Sequence, residues 1–172
     1  MIILNARDDA WVKDWITKNW VTHNAIWYGL CLHKLGAQQT NQLNKSATRM
    51  MAGVEMKRLL SLIGNQPSEK IQTFDELTII LEEGFQMIQT SFLSFSFSFP
   101  KKNMLICEFN DCYAFKGFEK FGMIDTYECS IVERIKGWLD RLGIKYVVRP
   151  DFKGCLMHQE GNCSIEVQFN LK

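Results

Sequence analysis

Between Ser91 and Phe99 the chain reads "SFLSFSFSF", with Leu93, Phe95, Phe97 and Phe99 alternating with mostly serine. A period of two is that of a strand with one face buried and one solvated. Everything ahead of this run repeats at helical spacing instead. From about Asp8 to Leu35 one face gathers Trp20, His23, Trp27, Leu30 and Cys31, with Trp11 and Trp15 one turn apart before it. Gly36 ends that helix in the manner of a C-cap. A second helix follows, with Leu43, Ala47, Met50 and Val54 as its apolar row, and runs to "LIGN", where Gly64 and Pro67 stop it. The two segments are expected to form an antiparallel helical pair. "TFDE" places Thr73 and Glu76 as a capping box, so a third helix should start there and run through "LTIILEEGFQMIQ".

Beyond the alternating run, "PKKN" turns the chain and "MLICEFN" is the return strand of a hairpin. Helices are expected over about Asp111–Phe121 and Asp125–Leu142. The second opens on the box-like "DTYE" and carries Ile131, Ile135, Trp138 and Leu142 on one side. "IKYVV" reads as a strand stopped by Pro150, "DFKGCLMHQEGN" as a loop, and "CSIEVQF" as a final strand with Cys163, Ile165, Val167 and Phe169 inward. The expected fold is therefore α+β: an N-terminal helical layer packed on a mostly antiparallel sheet of about four strands, with two interposed helices. At 172 residues this is one domain, its helical half at about 8–90 and its α/β half at about 91–172.

A formal net charge of +1 argues against nucleic acid as a partner. No stretch approaches a membrane span, and "MIILNARDD" is too short in apolar residues to be an export signal. The six cysteines are thus expected as reduced thiols in the cytoplasm. No CxxC pair, GxGxxG, P-loop or Ser-His-Asp pattern occurs.

Cys112 is the thiol with most chemistry to offer. It follows Asn110 and Asp111 at a helix start, where backbone N–H groups favour a thiolate, and Asp111 is the nearest carboxylate that could serve as base. The competing reading is a small core residue beside Phe115 and Phe118. Cys129 lies near another helix start, off the main apolar stripe, while Cys31 and Cys107 read as core. Cys155 and Cys163 bracket the last loop and are expected to meet at one end of the sheet near Cys112. With Cys112, Cys129 and His158 they would suffice for a tetrahedral metal ion, though intervals of sixteen, twenty-five and seven residues match no common zinc pattern. His23, between Trp20 and Trp27, is either a ligand contact or a core histidine; His33 reads as solvated.

"NAIWYGLCLHKLGAQQTNQLNKSATRMMAGVEMKRLL" resembles the helical half of a family of small, uncharacterised bacterial and archaeal proteins, in its aromatic pair Trp27 and Tyr28, its break at Gly36 and its second helix. In the distal half, Cys112 opening a helix, Cys129 before a long helix, and "NCSIEVQF" following Cys155 resemble the L-2-amino-thiazoline-4-carboxylic acid hydrolases and, to a lesser degree, the 4-vinyl reductase small-molecule-binding domains. The resemblance implies a cytoplasmic α+β domain that binds a small molecule, and raises thiol-based hydrolysis of a cyclic C–N or C–S bond through Cys112; the helix face of Trp20, His23 and Trp27, with the neighbouring Tyr28, supplies the candidate ligand contacts. Three functions are carried forward: a small-molecule-binding domain, a thiol hydrolase, and a structural module that dimerises through its Trp-bearing helix. The sequence names no cofactor other than a metal ion on the cysteines.

Overall fold

In the computed structural model, which describes residues 8–64 and 71–171, the first helical element α1 covers Asp9–Leu62 and is broken once, at Gly36. Gly36 has φ 75° and ψ 170°, a backbone that side-chain-bearing residues avoid. The break is sharp. Tyr28 Oη donates to Asn41 Oδ1 at 2.7 Å, yet thirteen residues of straight helix would hold the two about 20 Å apart. The helix therefore folds back into an N-terminal arm (9–35) and a C-terminal arm (37–62). Pro67, expected to end the second arm, lies outside the described residues, as does the apolar "MIIL".

Helix α2 (Phe74–Ile88) starts with the expected box: Thr73 Oγ1 accepts from the Glu76 N–H at 3.2 Å, and Glu76 accepts from the Thr73 N–H at 3.1 Å. The remaining elements are β1 (Ser96–Ser98), β2 (Met104–Glu108), α3 (Tyr113–Lys120), a short 3-10 turn (Ile124–Thr126), α4 (Ile131–Leu142), β3 (Tyr146–Arg149), α5 (Leu156–Glu160) and β4 (Ser164–Phe169). The strands form one antiparallel sheet in the order β1-β2-β4-β3, with Cys107 opposite Phe97 and Ile165, and Val167 opposite Leu105 and Val148. Its buried face carries Leu105, Cys107, Ile165, Val167 and Phe169, and its other face the serines, Glu166 and Gln168. Helices cover the buried face, as Phe85 of α2 shows by meeting Phe95, Phe97 and Trp138 with ring centres 4.6 to 5.4 Å apart.

Several expectations need correction. The alternating run yields only a three-residue strand, although Phe95 and Phe97 still share the inner side. Asp125 and Glu128 form no capping box, because residues 124–126 close a 3-10 turn and α4 starts later, at Ile131. Their carboxylates are used elsewhere: Asp125 meets His158 at 3.1 Å, and Glu128 meets Lys45 at 2.5 Å. The last loop contains α5.

The largest correction concerns α1. Its C-terminal arm buries Thr40, Asn41, Ala52, Met56, Leu59 and Leu60, leaving the expected apolar row Leu43, Met50 and Val54 exposed. Partners on α4 decide this. A Cβ on Gly137 would lie 2.5 Å from the Arg49 carbonyl oxygen and 2.7 Å from the Ala52 Cβ, so α4 crosses α1 at a glycine with no room to spare. Around that crossing Arg49 binds Asp140, Glu133 and Tyr146, and Glu55 binds Arg134 and Trp138.

Candidate functional site: an aromatic cavity

Where α1 folds back, its two arms do not close on α3 and α4. A cavity of about 790 Å³ is left between them, floored by Phe85 of α2 and by Phe95 and Phe109 beside the sheet. Tyr113, Phe118, Tyr127 and Trp138 add further aromatic wall. Phe118 and Tyr127 stack with centres 3.8 Å apart, and Tyr28 meets both edge-on from the side of the elbow.

The polar groups in this wall are few: Asn24, Asn44, Thr48, Ser94, Asp111, Ser130 and Arg134 are the main ones. Arg134 does not bring free charge, since its guanidinium grips both oxygens of Glu55 and lies over the Trp138 ring at 5.9 Å. Removal from water raises the phenols of Tyr113, to about 12, and Tyr127, so both remain neutral donors at physiological pH.

Trp20 lines the cavity edge while 48% exposed. His23 and Trp27, on the same helical face, point outward, and Trp27 is 61% exposed. Tyr28 is buried and serves the fold, with its hydroxyl on Asn41. The grouping of Trp20, His23 and Trp27 by helical period was correct as geometry, but that face looks away from the core. The residues that do line the cavity are spread over α1, α2, α3, α4 and the sheet edge. Neither local spacing nor any motif links them.

Cys112 is buried in the cavity wall as the N-cap of α3. Its environment differs from the expected activated thiol. Desolvation raises its pKa, and although the Ala114 and Phe115 N–H groups pull the other way, they make no formed cap hydrogen bond and do not prevail. Asp111 is exposed and binds Lys116 at 2.6 Å. Among the described residues no hydrogen bond joins Cys112 to a histidine or carboxylate.

The segments that carry the distal cysteines are joined by main-chain hydrogen bonds. Cys155 is the buried N-cap of α5, and the Cys129 N–H donates to the Gly154 carbonyl at 2.9 Å. The Phe109 N–H, three residues before Cys112, donates to the Cys163 carbonyl at 2.9 Å. Burial, with a smaller contribution from the neighbouring Cys112 and Cys155, pushes Cys129 and Cys163 up to about 12. All are free thiols. The expected metal centre of Cys112, Cys129, Cys155 and Cys163 is corrected, because among the described residues no group of three or more His, Cys, Asp or Glu is arranged to hold an ion. His158 turns to Asp125 and Phe115 instead.

Among the described residues no helix is long and apolar enough to cross a membrane. No protein-family model matches the chain, and no curated protein matches it.

Proposed function

We propose that the protein binds a small, mostly apolar and uncharged molecule in the cavity between α1 and α3–α4. The observation that carries this reading is an aromatic space of about 790 Å³ with few polar groups in its wall. Interiors normally pack to crystal density, and ligand sites run from roughly 300 to 1,000 Å³ with predominantly apolar linings. The neutralised Arg134 favours an uncharged occupant, and Ser130, Asn44 and Thr48 supply contacts for one polar end.

Gly117 provides the test. It lines the cavity, and a Cβ built on it meets nothing within 4 Å. Gly117→Leu fills space while improving helix propensity by roughly 0.5–1 kcal/mol. The neutral dye N-phenyl-1-naphthylamine should bind the wild type, and the variant should bind it at least about tenfold more weakly with no loss of Tm. Equal dye affinity in the two proteins would refute the site.

A thiol hydrolase would use the same cavity, and the place of Cys112 in its wall is the observation favouring that reading. It is the weaker of the two, because burial holds the thiol protonated and the nearest carboxylate is engaged by Lys116. Iodoacetamide at pH 6.5 should label Cys112 no faster than buried Cys107; faster labelling would favour hydrolysis.

A further inference from the structure

The N-terminal arm of α1 carries a second apolar surface, most of it on the side away from the cavity, with Trp20 at the edge the two share. Val12, Trp15, Ile16, Trp20, Trp27 and Leu30 follow one another along this face, each between 40% and 61% exposed. They leave on the order of 700 Å² of side chain in water, close to the roughly 800 Å² that each partner contributes to a standard protein interface. A monomer's largest patch is ordinarily about 300–600 Å². Between Trp15 and His33 the only Asp, Glu, Lys or Arg is Lys18, and it lies off this row, over the Phe92 ring at 5.2 Å. Lys13 and Asp14 are likewise turned to the body of the protein, Lys13 on the Gln86 carbonyl and Asp14 on Ser91.

We propose that this face is covered by the same face of a second copy, the two arms packing antiparallel with His23 near the twofold axis. Absence of charge is what selects a second copy. An isologous contact pairs residue i with j and j with i, and residues near the axis with their own equivalents, so an ionised group there would meet its like. A helix that lies on a lipid surface carries rows of Lys and Arg beside its apolar face, which this arm lacks. The exposed row of the other arm, Leu43, Met50 and Val54, has no aromatic residue and is sparser.

Sedimentation velocity on the full chain up to about 100 µM tests the proposal. The wild type should be a dimer. His23→Glu, which sets two carboxylates across the axis, and Trp27→Glu should each weaken it at least about 100-fold, while Met50→Glu on the other arm should leave it intact. Both substituted side chains on the N-terminal arm are exposed within one copy, so circular dichroism and Tm should be unchanged. A monomeric wild type at the highest concentration would overturn the proposal. So would a dimer indifferent to both glutamates, or a wild-type monomer that co-sediments with phosphatidylserine vesicles. The dye titration of the cavity is read separately, so failure of one proposal leaves the other standing.

Discussion

Asn41 is a polar residue in the middle of a helix and buried, a combination that helical periodicity treats as noise. Its amide makes three hydrogen bonds. Oδ1 accepts from Tyr28 Oη at 2.7 Å and from the Glu128 N–H at 2.9 Å, and Nδ2 donates to the Thr126 carbonyl at 2.7 Å. One side chain thus ties both arms of α1 to the segment that opens α4. Asn41→Leu strands the buried Tyr28 hydroxyl and two part-buried main-chain groups and should cost about 2–3 kcal/mol in urea unfolding, whereas Tyr28→Phe, which removes one bond and leaves Asn41 two, should cost about 1 kcal/mol. At the same scale, the cysteine spacing foretold neither the lack of a metal-holding group among the described residues nor the raised thiol of Cys112. Strand alternation and loop length could bring Cys155 and Cys163 near Cys112, but desolvation, which sets the thiol pKa, depends on everything packed around them.

Among the elements, α1 and α4 show how local signals succeed or fail. Thr73 and Glu76 make their box because both partners lie within one turn of each other. Asp125 and Glu128 make none because residues 124–126 close a 3-10 turn and α4 starts only at Ile131, and the Glu128 carboxylate meets Lys45, distant in sequence. Gly36 was legible as a stop, since a φ of 75° is glycine's territory. Gly36→Ala should cost about 1–3 kcal/mol despite open space around the site, because the strain is in the backbone and the Tyr28–Asn41 bond resists relaxation. Gly137→Ala tests the opposite mechanism. Its backbone is helical and the substitution would raise helix propensity, but the Arg49 carbonyl cannot give way, so the Tm should fall by several degrees.

For the whole molecule, buried acids predict how stability varies with pH. The thiols of Cys107, Cys129 and Cys163 are pushed by burial from 9.0 to about 12, and the phenols of Tyr28, Tyr113 and Tyr146 from 10.0 to about 12. Above pH 9 the unfolded chain releases protons that the folded chain still holds, so the native state binds more protons and loses stability as pH rises. These groups contribute their full share below pH 9. The urea midpoint should therefore be insensitive to them at pH 7–8 and fall steadily from pH 9 towards 12; a midpoint that held constant to pH 11 would contradict the burial assigned here. What the sequence by itself determined is what depends on neighbours along the chain: the change of period at the Phe/Ser run, the break at Gly36, the box at Thr73, and the inward set of the last strand. An antiparallel α+β sheet follows from those. Only the tertiary structure decided which side of α1 is buried, because apolar rows on both arms compete with a polar face whose Asn41, Arg49 and Glu55 find partners on the α4 side. It also decided where the cavity lies, because its walls come from segments far apart in sequence and exist only once α4 has seated Gly137 against Ala52.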